Sequence, residues 1–270
     1  GMRLFDSHCH LQDPKFGEPA SALVERARAA GVAGMLVLGY DAPSNEEALR
    51  LASAHEGTFA GVGYHPHEAG SVSASMLAEL EAQAALPAVV CVGEIGLDQY
   101  RGTTDPAGQR ALLEAQLAIA LGVRKPVSLH SRSAEDAIAE VVEPYARQAI
   151  AQGRVPGVMH CFGGTLEQAR RYVAMGFLVS IACTITYPGN GEARRLAREL
   201  PLESLLVETD APYLPPQRLR GKTNEPAFVR DAAEAVAATR GLALADVAEA
   251  TTRSAERMLG VRAARPAEVA

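Results

Sequence analysis

Eight short apolar runs recur along the chain, and their spacing leaves few folds open. The runs lie roughly 20 to 36 residues apart, and amphipathic stretches rich in Ala, Glu and Arg separate them. This is the period of repeated strand–helix units, so the sequence predicts an α/β fold, a TIM (β/α)8 barrel in a single domain. The runs end at His10, Gly39, Gly63, Glu94, His130, His160, Ser180 and Asp210.

An open, doubly wound parallel sheet is the alternative arrangement of such units. In that fold, the binding residues collect near one switch point of the sheet. Here the residues that could bind a ligand follow the first, fourth, fifth, sixth and eighth runs, which favours a closed barrel.

Local signals mark where the helices between the runs begin and end. Gly31, Gly122 and Gly176 each follow an amphipathic stretch, as glycine often follows a helix. Ser44 and Thr165 are expected as N-caps, because a hydroxyl there can accept a hydrogen bond from a first-turn N–H. These signals predict one helix after each run that they flank.

Length and composition set further limits. One barrel domain is expected over residues 1–260, with 261–270 as a disordered C-terminal tail, and Gly1 is interpreted as an expression scar. No apolar stretch approaches the ~20 residues of a membrane span, so a cytoplasmic protein without membrane contact is expected. A monomer is also expected. The net charge of −6 argues against broad, nonspecific clamping of nucleic acid.

Six residues of the kinds that bind divalent metals lie at or beside the ends of these runs. They are His8, His10, Glu94, His130, His160 and Asp210. The carboxyl ends of the strands in a TIM barrel meet at one rim, so these side chains are expected to converge there. His8 and His10 are two residues apart, and in a strand both would point to the same face. The set predicts a two-metal hydrolytic centre.

Glu94 is expected to lie between the two metals, because a carboxylate has two oxygens and can bridge cations ~3.5–4 Å apart. His130 and His160 would then complete the second metal. Asp210 suits a ligand that also takes a proton from the attacking water. Glu208, two residues before Asp210, is interpreted as a deeper structural partner.

Basic and imidazole side chains near the same rim are candidates for substrate contact. Arg132 lies just past the fifth run, where a guanidinium suits a scissile phosphate. Arg220 and Lys222, in the loop after the last run, are predicted phosphate contacts. His65 is interpreted as a group that contacts the substrate or backs the metals, and the role of His67 stays open.

Short motifs along almost the whole chain, taken together, resemble those of the TatD family of metal-dependent deoxyribonucleases, within the wider amidohydrolase-like barrels. The motifs are Asp6-Ser-His-Cys-His10, Gly63-Tyr-His-Pro-His67, Gly93-Glu-Ile-Gly-Leu-Asp98, His130-Ser-Arg132, His160-Cys-Phe162, Glu208-Thr-Asp210, Arg220-Gly-Lys222, Asn224-Glu-Pro226 and Thr251-Thr252. The resemblance implies a TIM-like barrel with two divalent cations. It implies that one cation is bound by His8, His10, Glu94 and Asp210, and the other by Glu94, His130 and His160.

The resemblance also implies metal-assisted hydrolysis of phosphodiester bonds. A metal-activated water would attack phosphorus, Asp210 would accept its proton, and Arg132 with the metals would offset the growing charge. Asp210, Glu94 and Arg132 are therefore the predicted catalytic residues. Two departures from the family pattern, Gln99 and Ser254, put the substrate preference in doubt rather than the hydrolysis.

The composition restricts how such an enzyme could hold its substrate. With no Trp and only 5% aromatic residues, a long stacking platform for single strands is not expected. We therefore predict short engagement of DNA ends, as in an exonuclease, or of a small phosphoester.

A lactonase or phosphotriesterase-like hydrolase on the same barrel is the first alternative. Such relatives often bridge their metals through a carboxylated lysine on the fourth strand, whereas lysine occurs here only at positions 15, 125 and 222. An inactive scaffold is the second alternative, although all six metal-binding residues are present. Imidazoles favour Zn, Fe, Co or Ni, while carboxylates also accept Mg or Mn. The natural substrate, the polarity of digestion and the oligomeric state stay open.

Overall fold

The computed structural model describes residues 1–100 and 105–265, in which eight parallel strands form one sheet in chain order. The strands are β1 (Leu4–Cys9), β2 (Val32–Leu38), β3 (Thr58–Val62), β4 (Val89–Asp98), β5 (Val127–Arg132), β6 (Gly157–Met159), β7 (Leu178–Ile181) and β8 (Leu205–Val207). The sheet closes where the His10 N–H donates to the Ala211 carbonyl and the Asp210 N–H to the His8 carbonyl, both at 2.9 Å. The predicted TIM barrel is confirmed.

Helices surround the barrel and connect successive strands. One helix follows each of the first seven strands, and two follow β8. They are α1 (Ala20–Ala29), α2 (Ala42–Ala54), α3 (Ala74–Ala84), α4 (Pro106–Val123), α5 (Glu135–Ala151), α6 (Leu166–Ala174), α7 (Gly191–Glu199), α8 (Val229–Arg240) and α9 (Leu244–Leu259). Within the described ranges, no helix is both long and apolar enough to cross a membrane.

Two apolar clusters fill the molecule, one on each face of the strands. Leu36 and Leu38 belong to the smaller cluster, and Met35 and Val37, which alternate with them, belong to the larger one. The smaller cluster joins side chains from strands on opposite sides of the barrel, so it lies on the barrel axis. Residues of α9 pack against it and close the base. The larger cluster lies between the strands and the helices.

Two strands that carry predicted metal-binding residues depart from regular pairing. The register of β1 against β2 shifts between Asp6 and Cys9, and that of β4 against β5 shifts between Val92 and Ile95. His8 lies three positions after Phe5, and Glu94 three positions after Cys91, a spacing that would put each pair on opposite faces of a regular strand. The irregularities let Phe5 and Cys91 fill the barrel axis while His8 and Glu94 face the mouth.

The predicted N-cap at Thr165 is confirmed, and the one at Ser44 is wrong. Thr165 Oγ1 accepts the Gln168 N–H at 3.2 Å at the start of α6. At the start of α2, Asp41 is the N-cap and accepts the Ser44 N–H at 2.9 Å, while Ser44 Oγ accepts the Asp41 N–H at 3.0 Å. The helix starts earlier than expected because Pro43, which has no N–H to satisfy, fits its first turn.

Two of the three glycines follow helices as predicted. Gly31 and Gly176 lie just past α1 and α6, with φ of 93° and 99°. Gly122 lies inside α4 instead, and the left-handed residue that ends this helix is Arg124, with φ of 58°. The prediction at Gly122 is wrong because the apolar face of α4 continues past it.

Gly96 in β4 is expected to be required for the fold. Its φ is 153°, and a Cβ there would lie 1.9 Å from the backbone oxygen of His130. We expect Gly96→Ala to lower the free energy of unfolding, measured by urea denaturation, by more than about 1 kcal/mol. In the matched control Gly122→Ala, a Cβ meets nothing within 4 Å, and the helical position should gain ~0.5–1 kcal/mol. Equal midpoints for both variants would contradict the assigned strain.

Both ends of the described chain lie at the base of the barrel. Arg3 forms ion pairs with Glu249 and Glu256 of α9 at 3.1 and 3.2 Å. The Ala264 N–H donates to the Ala33 carbonyl, at the start of β2, at 2.8 Å. Residues 261–265 of the expected disordered tail are therefore described and contact the barrel, whereas 266–270 lie outside the described residues.

Candidate metal centre

The six residues predicted to bind metals meet at the carboxyl end of the barrel. His8 and His10 come from the end of β1, Glu94 from β4 and His130 from β5, while His160 and Asp210 directly follow β6 and β8. All except His8, which is 1% exposed behind the others, line one cavity of about 980 Å³. Residues that are up to 202 positions apart in the chain therefore share one site.

Four of these side chains place one atom each around a common point. His8 Nε2 lies 3.2 Å from Glu94 Oε1, 3.3 Å from His10 Nε2 and 3.6 Å from Asp210 Oδ1. His10 Nε2 lies 3.4 Å from Glu94 Oε1 and 3.5 Å from Asp210 Oδ1. Ligand atoms that lie ~2.1 Å from a tetrahedral ion are about 3.4 Å apart, so the spacing fits one metal ion.

The other oxygen of Glu94 faces a second group. Glu94 Oε2 lies 3.1 Å from His130 Nδ1 and 3.4 Å from His160 Nε2. These three residues form a further group whose ligand atoms could hold a metal ion. One carboxylate thus presents each of its oxygens to a different group, as a bridge between two cations requires.

Backbone and hydroxyl oxygens orient the rings of the first group. His10 Nδ1 donates to the Leu38 carbonyl at 2.8 Å, which leaves the Nε2 lone pair free to bind a cation. His8 Nδ1 lies 3.3 Å from Ser128 Oγ. Both rings therefore turn Nε2 towards the same point.

Carboxylates orient the rings of the second group. His160 Nδ1 donates to Glu208 Oε2 at 2.7 Å, and His130 Nε2 donates to Asp98 Oδ2 at 2.9 Å. Glu208 is fully buried, and its other oxygen accepts the Cys161 N–H at 2.6 Å, so it is the structural partner that the sequence indicated. A carboxylate behind an imidazole fixes the ring and strengthens the nitrogen that binds metal.

The carboxylates make this site attract positive charge. Burial alone would raise the pKa of Glu94, but the charge of His160 and the hydrogen bonds from His10 and His130 hold it well below its usual value. Burial opposes a charge on His10, yet its bonds to Asp210 and Glu94 raise its pKa to about 10. The same two carboxylates that favour a proton on His10 would favour a divalent cation in its place.

Of the predicted substrate contacts, two line the cavity. The Arg132 guanidinium stacks over the Tyr100 ring, 3.7 Å from its centre. His65 Nε2 lies 3.7 Å from Glu94 Oε2, and burial lowers the pKa of His65 to about 3, so this ring is neutral. Among the described residues that line the cavity, Arg220 and Lys222 do not occur. Their contact with substrate stays a prediction.

Asp98 ends the motif Gly93-Glu-Ile-Gly-Leu-Asp98, but its role at the site was not predicted from the sequence. Asp98 Oδ2 accepts from His130 and also lies 3.2 Å from His67 Nε2, on an exposed ring. His67 also lines the cavity, and its ring centre lies 4.4 Å from that of His65. The available signal was the even spacing of Asp98 from Glu94 along β4.

Comparison with known proteins gives a consistent family assignment. The family model described as "TatD related DNase" matches residues 5–260. The chain is 36% identical over 244 residues to the "3'-5' ssDNA/RNA exonuclease TatD" of Klebsiella pneumoniae (strain 342), covering 88% of this chain and 90% of that protein. It is 31% identical to the "Uncharacterized metal-dependent hydrolase YabD" of Bacillus subtilis (strain 168), covering 96% and 99%.

Solved structures agree with these relatives. The crystal structure of YjjV, a TatD homolog from Escherichia coli K12, matches with a TM-score of 0.87 at 33% identity and covers 96% of this chain and 98% of that one. An engineered organophosphate hydrolase made from a lactonase template matches with a TM-score of 0.60 at 15% identity, a likeness that extends to the fold alone.

Proposed function

This chain belongs to the family of TatD-related DNases, and from that premise we propose that it hydrolyses phosphodiester bonds at the ends of single-stranded DNA or RNA. The observation that carries the proposal is Glu94, whose two oxygens face two separate groups of metal-binding atoms. The related exonucleases are named for 3'-5' action, so we propose cleavage at the 3′ end.

We assign two divalent cations to these groups. His8, His10, Asp210 and Glu94 Oε1 would hold one, and His130, His160 and Glu94 Oε2 the other. Such cations lower the pKa of water towards ~7 and offset the charge on a phosphate. Four imidazoles with two carboxylates suit Zn, Co, Ni or Fe better than Mg, which prefers an all-oxygen shell.

Asp210 is the proposed proton acceptor. Its side chain is 16% exposed, more than that of Glu94 at 6%, and it lines the cavity, so a water can approach it. Its backbone is held by the bond to His8 and by the preceding Thr209, whose N–H and hydroxyl donate to Asp6 at 2.9 and 2.6 Å. The carboxylate is thus fixed where it can take a proton and return it to the leaving oxygen.

Arg132 is the proposed contact for the phosphate. Its guanidinium carries several N–H donors in one plane and lines the same cavity as Asp210. The Tyr100 ring beneath it restricts its position. Every group named for the reaction comes from one chain, so a monomer would be sufficient for activity.

The lactonase alternative lacks a lysine in the right place. Lys125 Nζ donates to the carbonyls of Ala84 and Leu86 at 2.6 and 2.8 Å, beside the entry to β5 and away from the mouth. Glu94 takes the position on β4 that a carboxylated lysine would need. A bridge between the two proposed cations would therefore be a glutamate.

Metal removal and restoration tests the proposal. We expect chelation to abolish release of nucleotides from 5′-labelled single-stranded DNA and RNA, and Zn, Co, Ni or Fe restored singly to recover it with about two ions per chain. Lactones and a simple phosphodiester are assayed in parallel. Activity that survives complete metal removal, or hydrolysis of lactones alone, would reject the proposed function.

A further inference from the structure

Exposed apolar side chains concentrate at the mouth of the barrel. Six large apolar side chains are exposed in the part of the chain that the structure describes: Leu86, Tyr100, Ile150, Tyr213, Leu214 and Leu242. Three of them, Tyr100, Tyr213 and Leu214, line the cavity that contains the metal-binding residues. Although aromatic residues make up only 5% of the sequence, the exposed rings of Tyr100 and Tyr213 both lie at this mouth.

Tyr213 is held in a fixed position at this rim. Its hydroxyl donates to Asp13 Oδ2 at 2.9 Å, and its N–H donates to the Asp210 carbonyl at 2.9 Å. Lys15 Nζ lies 4.6 Å from the ring centre. Asp13 and Lys15 belong to the loop after β1, so two loops at the mouth clamp a ring that is still 42% exposed.

Leu214 is exposed in a conformation that leucine rarely adopts. Its φ is 54°, in the left-handed region, and its side chain is 37% exposed. The fully buried Asn224 amide holds this segment by donating to the carbonyls of Tyr213 at 2.8 Å and Leu214 at 3.2 Å. A strained segment that is fixed from below and presents an apolar side chain to solvent is typical of a contact site.

We propose that Tyr213 and Leu214 seat the base of the terminal nucleotide, while its phosphodiester lies at Glu94. This inference rests on the proposed function and adds the part of the substrate that is recognised. Tyr213 lies three positions after Asp210, and a backbone hydrogen bond joins them, so the seat adjoins the proposed proton acceptor. Every base has an aromatic face, so such a seat accepts all four bases. Lys15 beside the ring adds a positive charge for the anionic backbone.

Steady-state kinetics on substrates that carry or lack a terminal base test the proposed base-binding role of Tyr213 and Leu214. Two 5′-labelled oligonucleotides are compared, one with an ordinary 3′ nucleotide and one whose last nucleotide is an abasic tetrahydrofuran with the same phosphodiester. We expect the wild type to show a KM about 5- to 150-fold lower for the end that carries a base. Tyr213→Ala should remove most of this preference with little change in kcat, and Tyr213→Phe should keep it. Leu242→Ala, an exposed leucine between α8 and α9, is the control and should match the wild type.

Fluorescence gives a readout that does not depend on turnover. A 3′-terminal 2-aminopurine should be quenched when it binds the metal-loaded Asp210→Asn protein, which is expected to turn over slowly and to keep the ion held by His130 and His160. Adding Tyr213→Ala to this variant should abolish the quenching. If the wild type cleaves both ends and Tyr213→Ala leaves the ratio of KM values unchanged, the seat is wrong and the proposed function stands. If the metal-loaded wild type cleaves neither end, both are wrong.

Discussion

Glu94→Gln will reduce phosphodiester hydrolysis by more than ~10³-fold, the largest loss we expect from any single substitution. Removal of one donor that stabilises developing charge costs about 10²–10³ in kcat, and Glu94 is proposed to hold both cations. Glutamine has nearly the same shape, but it replaces one of the two oxygens that face the two groups with an NH₂ that cannot bind a cation. The measurement is nucleotide release from labelled single-stranded DNA, with metal content determined on the same sample.

The matched control is Glu79→Gln, the same chemical change at an exposed position of α3. It should keep wild-type activity and metal content. Circular dichroism and thermal unfolding must show that Glu94→Gln is folded. A folded Glu94→Gln protein with activity within tenfold of the wild type would contradict the proposal that Glu94 holds both cations.

Asp210→Asn will lower kcat by about 10²–10⁴-fold, the range that a positioned general base contributes. Asparagine keeps an oxygen near His8 and His10 but cannot accept a proton at neutral pH. The second group of metal-binding atoms does not include Asp210, so the variant should retain at least the ion held by His130 and His160. The expected result is therefore a protein that still binds metal and turns over slowly.

Asp246→Asn, an exposed carboxylate in the first turn of α9, is the control for this change. Its activity should equal that of the wild type. Steady-state kinetics on the same labelled substrate separate kcat from KM. A large rise in KM with an unchanged kcat for Asp210→Asn would show that Asp210 binds substrate and does not transfer a proton.

Positions at the rim could be predicted from sequence because each depends on a local signal and one general rule. An apolar run followed by His160 or Asp210 marks the carboxyl end of a strand, and a closed barrel brings all such ends together. The division of the metal-binding atoms into two groups depends in addition on contacts between side chains of different strands. His130 turns Nδ1 towards Glu94 because Asp98 holds its other nitrogen. The spacing of Asp98 from Glu94 indicates a shared face of β4, but it does not indicate which residue of β5 the carboxylate contacts.

The side-chain contacts at the rim of the cavity could not be predicted from the sequence either, because they join residues that are distant in the chain. The Arg220 guanidinium lies 4.3 Å from the centre of the Tyr187 ring, a contact that its place in the loop after β8 did not indicate. The Tyr213 hydroxyl at the mouth contacts Asp13, which is 200 residues away in the chain. Contacts of this range are set by how loops pack after the barrel has closed.

The ion pairs of Arg3 and the backbone bond of Ala264 have a practical consequence. Both anchor points lie on the side of the barrel opposite the cavity. A tether attached near either point, to a bead or a sensor surface, would leave the catalytic opening directed into solution. Protein immobilised in this way should therefore hydrolyse its substrate at the same rate as the free protein.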